Sequence, residues 1–185
     1  MNYHNITYPD QNNGDGLRIV LWVAGCEHHC TNCQNQQTWS PQSGIPFDEN
    51  AMNEILNELK KDYISGITFS GGDPLHPKNV QNVLKIVDEI RVSYPTKNIW
   101  LYTGYTWEEI WIKDNIKTGD KITDMRGKAI KNLRRQVVRM CDVLIDGRYV
   151  DKLRDVSLHW RGSSNQRVIN VQETLKQNQI VLWES

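Results

Sequence analysis

Four short apolar runs, each halted by glycine, constrain this chain more than anything else in it. Residues 17–24 run into Gly25, 64–69 into Ser70-Gly71-Gly72, 98–103 into Gly104 and 142–146 into Gly147. Runs of this length, rich in β-branched and aromatic residues, read as buried strands. Helical patterns fill the gaps. Over 48–62, Asp48 is placed to cap a helix whose Met52, Ile55, Leu56 and Leu59 share one face. A second helix starts near Pro77 and carries Val80, Val83, Leu84, Val87 and Ile90 on one side. A short helix over 106–113 and a longer basic one over 127–140 follow. Strand and helix in alternation indicate parallel strands joined by crossover helices. The expected fold class is therefore α/β. Four clear units, with residues 180–183 as a last strand or a packed terminal segment, fall short of the eight that need about 250 residues. An open, partial β/α barrel fits and a full one does not. In such sheets chemistry collects beyond the carboxyl ends of the strands. The loops 25–34, 70–74 and 103–105 all fall there.

The 185 residues suit a single domain, with a core over about 13–168 and a C-terminal extension over 169–185; no repeat or linker divides them. Lys plus Arg number 22 and Asp plus Glu 22, a formal charge of zero that argues against a nucleic-acid binder. The balance is uneven: residues 1–90 carry 11 acidic and 5 basic side chains, residues 91–185 carry 11 and 17. The basic excess is densest in 117–139, with Lys117, Lys121, Arg126, Lys128, Lys131, Arg134, Arg135 and Arg139 against Asp120 and Asp124. It is either a solvated helix face or a docking patch for an acidic partner. No apolar run approaches the roughly 20 residues of a membrane span, and residues 1–5 do not open a secretory signal. Four cysteines are too few for a disulfide scaffold. The expected compartment is the cytoplasm, with no membrane partner.

Three of those cysteines, Cys26, Cys30 and Cys33, sit within eight residues at the end of the first apolar run. Their thiolates can converge on one point. A disulfide between two of them conflicts with a reducing compartment. Structural zinc closes with four ligands, and His28 or His29 could complete a Cys3His site in a binding module. An iron–sulfur cubane held by three cysteines would keep one iron without a protein ligand, and an open metal position is where substrates bind. Cys141 is far away in sequence and reads as a small buried apolar residue. His28 and His29 otherwise read as exposed loop residues. Asp15 and Arg18 read as either orienting the cysteine loop or forming a surface ion pair. Asp146, at a strand end, reads as structural.

The spacing Cys26-x3-Cys30-x2-Cys33, followed by Ser70-Gly71-Gly72-Asp73-Pro74 after the second strand, resembles the radical S-adenosylmethionine (SAM) superfamily. Further blocks narrow the likeness: Asn13-Gly14-Asp15-Gly16-Leu17-Arg18, Thr38-Trp39, Leu75-His76-Pro77, Trp100-Leu101-Tyr102-Thr103-Gly104-Tyr105, Asp142-Val143-Leu144-Ile145-Asp146-Gly147 and Trp160-Arg161-Gly162-Ser163-Ser164-Asn165-Gln166. Together they resemble the activating proteins of anaerobic ribonucleoside-triphosphate reductases over residues 1 to about 168. Another radical SAM enzyme shares the cysteines but does not explain the block at 160–166, which is too polar for a core.

The resemblance implies a partial barrel of the radical SAM type. It implies a 4Fe-4S cluster on Cys26, Cys30 and Cys33, and SAM on the fourth iron. Gly71, Gly72 and Asp73 would hold the SAM amino group, where a carboxylate suits an ammonium. Asp73 could also cap the helix that follows, and the two roles are compatible. The backbone of Asn32, Cys33 and Gln34 would serve the adenine, and Thr103, beside Tyr102 and Tyr105, would stand at the site's mouth as a SAM contact or as core. Position 34 departs from the family, which has an aromatic there. The chemistry implied is reduction of SAM to methionine and a 5′-deoxyadenosyl radical, which takes hydrogen from a glycine of the reductase's large subunit. The electron would come from a small flavodoxin-like donor.

Overall fold

A computed structural model describes residues 1–111 and 122–184. Its strands are β1 (Asn2–Asp10), β2 (Arg18–Val23), β3 (Ile45–Pro46), β4 (Gly66–Gly71), β5 (Asn98–Tyr102), β6 (Val143–Asp146) and β7 (Arg167–Asn170). The helices are α1 (Glu49–Leu59), α2 (Val80–Ser93), α3 (Trp107–Trp111), α4 (Ile122–Arg139) and α5 (Val171–Gln177). The strands form one open sheet in the order β3-β1-β2-β4-β5-β6-β7. The four expected strands, β2, β4, β5 and β6, are parallel neighbours. β1 and β7 flank them antiparallel. The α/β class is as expected. Residues 180–183 form no strand of their own: one bridge pairs Leu182 with Ile169, and the segment packs as a terminal tail.

Side chains alternate across each strand. Ile19, Leu21, Val23, Ile67, Phe69, Ile99, Leu101, Leu144 and Ile169 join one buried core with Ile55 and Leu59 of α1, Val83, Val87 and Ile90 of α2, and Val137 and Val138 of α4. The helices thus cover one face of the sheet. The other face carries a smaller cluster of Trp100, Val143 and Ile145, flanked by Tyr102, Trp160, Val168 and Trp183.

Helix α1 starts where its cap predicts, with Asp48 accepting from the Ala51 amide at 3.0 Å. Helix α2 begins at Val80, not at Pro77. The turn 73–79 intervenes, and buried Asn79 donates to the carbonyls of Ala24 and Asp73 at 2.8 and 3.0 Å. The start of α2 is thereby tied to the end of β2. Residues 112–121 lie outside the described residues, and with them the end of the expected helix over 106–113 and Lys117, Asp120 and Lys121. Two other basic residues of that stretch are half-buried and turn towards the fold. Arg134 donates to the Leu75 carbonyl at 2.8 Å and Arg135 to that of Ile110 at 2.9 Å.

Arg18 is no surface residue either. It is fully buried on the less covered face, stacked 5.1 Å from the Trp100 ring. Its guanidinium donates to Thr68 Oγ1 at 2.8 Å, the Ile67 carbonyl at 3.0 Å and the Asp15 carbonyl at 2.8 Å. Burial pulls its pKa down to about 10, still charged at neutral pH. The Asp15 carboxylate instead accepts from Trp183 Nε1 at 2.7 Å.

Candidate functional site

The parallel register of β2 and β4 sets Trp22 beside Ser70 and Val23 beside Gly71. The cysteine loop and the glycine-rich loop therefore leave the sheet side by side. Cys26, Cys30 and Cys33 line one cavity of about 130 Å³ together with Gly71, Gly72 and Asp73. All four cysteines are unbridged, and Cys141 is fully buried elsewhere. The loop's close approach explains its glycines: Gly71 has φ of +95°, and a Cβ on it would come within 2.8 Å of the Val23 carbonyl oxygen.

Two further cavities adjoin the first. One of about 210 Å³ is lined by Cys33, Gln34, Ser70, Tyr102 and Gln166, and an outer one of about 320 Å³ by Gln34, Arg154, Trp160 and Arg161. Gln34 and Thr103 stand in the walls of this cleft. Asn32 does not line these cavities; its amide donates to Asp151 Oδ2 at 2.9 Å.

Asp73 has partners other than a ligand. Its carboxylate is buried and accepts from the Leu75 amide at 2.8 Å, Thr103 Oγ1 at 3.0 Å, the Gly104 amide at 3.1 Å and His28 Nε2 at 2.7 Å. The Leu75 bond is a tight turn; the helix-capping role therefore does not apply to α2. The Thr103 hydroxyl is committed to that same carboxylate and accepts from the Tyr105 amide. Tyr105 in turn donates to Glu27, and Arg134 stacks on its ring at 3.8 Å.

His28 was expected on the surface, yet its side chain is only 4% exposed. His29 is exposed, its ring edge-on to Trp39 at 4.8 Å. Polar spacing concealed His28, because a histidine inside a loop gives no periodic sign of burial. Asn35, Trp39, Arg148 and Tyr149 also line the cysteine cavity, and only Trp39 lay within a recognisable motif. The block 160–166 is not wholly polar in its setting. Ser163 is fully buried, Gln166 Oε1 accepts from the Gly162 and Ser163 amides, and Trp160 packs edge-on to Trp100 at 5.9 Å. Asp146, buried at the end of β6, accepts from the Trp107 amide at 2.7 Å and from Arg167 Nε at 3.0 Å.

The donor set suits an iron–sulfur cluster better than a single ion. Both ring nitrogens of His28 are taken, Nε2 by Asp73 and Nδ1 by Arg148 Nε at 3.1 Å. Among the described residues no three His, Cys, Asp or Glu side chains converge as they would around one ion. Three thiols around a cavity, spread over separate irons, fit a cluster. Burial pushes the Cys26 thiol up to about 11 and raises that of Cys30, so a cation is needed to hold them as thiolates. Trp39, in the same wall, has a buried indole N–H without a hydrogen-bond partner.

A family model described as "4Fe-4S single cluster domain" matches residues 12–169. The anaerobic ribonucleoside-triphosphate reductase-activating protein of Escherichia coli (strain K12) is 42% identical over 170 residues, covering 91% of this chain and 97% of that protein. Those of Haemophilus influenzae and of Enterobacteria phage T4 are 40% and 39% identical over 168 residues, covering 90% and 91% of this chain and 96% and 93% of their own lengths. The chain belongs to this family. As a reductase-activating protein it has a 4Fe-4S domain, and the matched region contains every cavity-lining residue named above. No helix among the described residues is long and apolar enough to cross a membrane.

Proposed function

We propose that this protein is a radical SAM activase that installs a glycyl radical on the large subunit of an anaerobic ribonucleoside-triphosphate reductase. One observation carries the reading: three cysteines and a glycine-rich turn from neighbouring parallel strands share one cavity. Cys26, Cys30 and Cys33 hold the 4Fe-4S cluster. The backbone of Gly71 and Gly72 receives the amino acid moiety of SAM, and Asp73 holds that turn in place through Thr103 and Gly104. The segment 32–34 offers its backbone to the adenine, with Gln34 in the cleft wall. A cluster held by these cysteines would, once reduced, supply the electron for reductive cleavage of SAM, and with it the abstraction of a hydrogen atom from the target glycine.

The chain's own part is to position and to enclose. Thr103 walls the cysteine cavity and Tyr102 all three cavities, and burial raises the Tyr102 phenol so that it stays protonated. The outer cavity, walled by Arg154, Trp160 and Arg161, admits the glycine-bearing segment of the partner. The fold is read as a partial barrel of the radical SAM type, acting as one domain over 1–185; helices on one face of a parallel sheet support this. A flavodoxin-like electron donor and a cytoplasmic setting complete the proposal.

Anaerobic reconstitution tests it. About four irons and four sulfides per chain, a reduced-state EPR signal altered by SAM, and a glycyl radical on the added reductase are expected. Stoichiometric zinc with no iron uptake overturns the cluster assignment. SAM cleavage without a glycyl radical on the reductase overturns the target alone.

A further inference from the structure

Four loops meet at one imidazole. His28 belongs to the cysteine loop, two residues beyond Cys26. Its Nε2 lies 2.7 Å from Asp73 Oδ2 in the glycine-rich loop. Its Nδ1 lies 3.1 Å from Arg148 Nε, just beyond β6. Its ring stands edge-on to Tyr105, beyond β5, at 4.6 Å. Gly104 leaves room for that ring: a Cβ there would come within 2.3 Å of His28 Cδ2.

The partners fix the proton. Arg148 Nε can only donate, so Nδ1 accepts and carries no hydrogen. Nε2 then bears the hydrogen and donates it to Asp73. The imidazole is neutral in this arrangement, and its tautomer is set by its neighbours. Among the described residues His28 is also the one side chain of the 26–33 loop that hydrogen-bonds the 70–74 loop. The other side-chain ties of the cysteine loop run elsewhere, from Glu27 to Tyr105 and from Asn32 to Asp151.

We propose that His28 is a positioning residue that sets the cysteine loop against the Gly71–Gly72 turn, and so sets the register between cluster and SAM. The proposal rests on the cluster-and-SAM reading above. It assigns His28 no ligand role and no proton transfer. Asp73 is the element through which it acts, because that carboxylate is shared by His28, Thr103 and the turn itself. Removing the imidazole leaves the backbone bond from the Asp73 amide to the Gly25 carbonyl, at 2.8 Å, but removes the side-chain bond from the body of the cysteine loop. The cysteines still take up iron, and SAM then meets a cluster whose distance from the turn is held less tightly.

The test compares the wild type with His28→Ala, His28→Gln and Gly104→Ala, each reconstituted anaerobically and titrated with SAM while the reduced EPR spectrum is followed. Glutamine can donate to Asp73 and accept from Arg148 as histidine does. Gly104→Ala displaces the ring without removing it. All four proteins are expected to hold the same iron. His28→Ala and Gly104→Ala are expected to need about tenfold more SAM for half the spectral change, the scale of one buried hydrogen bond to a charged group. His28→Gln is expected to stay within about threefold of the wild type, on the same scale. Equal SAM midpoints for the wild type and His28→Ala overturn the proposal, as does a glutamine variant no better than the alanine one. If His28→Ala does not fold, the pair His28→Gln and Gly104→Ala decides by the same criteria. A wild type that takes up iron but ignores SAM brings down the cofactor reading and this proposal with it. A wild type and His28→Ala that respond alike bring down this proposal alone.

Discussion

On one face of the sheet Ile19, Leu21, Ile67, Phe69, Ile99 and Leu101 meet the helices; on the other, the alternate residues of the same three strands are Arg18, Val20, Trp22, Thr68, Trp100 and Tyr102. The first face is apolar, closed and continuous. The second is polar and aromatic, and three cavities open along its upper end. The contrast divides the labour of each strand by its period of two. The covered face supplies burial, which scales with apolar area. The cavity-bearing face has less apolar area to bury, so it is held by specific contacts: Arg18 under Trp100, Thr68 donating to the Asn13 carbonyl at 2.7 Å, and Trp183 on Asp15. Stability and function should therefore respond differently to changes on the two sides.

The largest effect is expected from the covered face. Phe69 is fully buried in the helix-side core. Phe69→Ala should cost about 3–5 kcal/mol of unfolding free energy, from lost transfer energy and the cavity left behind. Urea melts check the size. The folded fraction should still take up iron and respond to SAM at the wild-type concentration. A SAM midpoint shifted more than the stability loss explains would mean that the faces are coupled.

Arg18→Met makes the opposite test. The substitution keeps length and apolar packing but removes the donors to Thr68, Ile67 and Asp15. The stability loss should be smaller, about 2–3 kcal/mol, because it comes from buried acceptors left without partners. The functional loss should be larger. Thr68 holds the Asn13 carbonyl, and Asn13 lines both outer cavities. SAM binding should weaken in the folded protein, read as a raised midpoint in the EPR titration. A variant that loses stability and keeps the midpoint would make Arg18 a core residue like any other.

The covered face was the legible one. The strands β2, β4, β5 and β6 and the helices α1 and α2 announce themselves by apolar periodicity, and burial enforces that pattern. β1 was not legible: its register shifts between Tyr3 and Asn5 and between Thr7 and Asp10, which breaks the alternation. β7 was hidden because Arg167–Asn170 holds a single apolar pair, Val168 against the Trp100 cluster and Ile169 in the helix-side core, too short to show a period. On the cavity-bearing face, Cys26, Cys30 and Cys33 stood out by their spacing, and Gly71 and Gly72 only through the family resemblance they share with that spacing. Asp73 was visible too, but its four protein donors could not be read from the chain, because Thr103, Gly104 and His28 reach it across 30 to 45 residues. His28 was misplaced at the surface, and the surface alternative for Arg18 failed, for the same reason. A charged or polar residue carries no local sign that distant partners will bury it.

Gln34 offers a gain instead of a loss. It lines the two outer cavities on the open side. Gln34→Tyr should supply a ring for the adenine, an aromatic contact of about 0.5–1.5 kcal/mol, so SAM should bind roughly 2–10-fold more tightly. Isothermal titration with the reconstituted protein measures it. No gain would place the adenine elsewhere in the cleft.

The smallest effect belongs to the seam between the faces. Arg167 of β7 bonds Asp146 of β6 and, from outside, Glu108 of α3 at 2.7 and 3.0 Å. The hydrogen bonds from Arg167 hold the Glu108 carboxyl down to about 2, below its ordinary 4.5. A depressed acid stabilises the fold above its unfolded pKa, and that contribution fades as pH falls from about 4.5 towards 2. The carboxylate is 59% exposed, so solvent screening keeps the contribution under about 1 kcal/mol. Glu108→Gln should therefore be slightly less stable than the wild type at neutral pH and equal to it near pH 2, with the two curves converging through that window. Curves that stay parallel would remove Glu108 from the seam and leave Asp146, the buried partner, to hold β7 by itself.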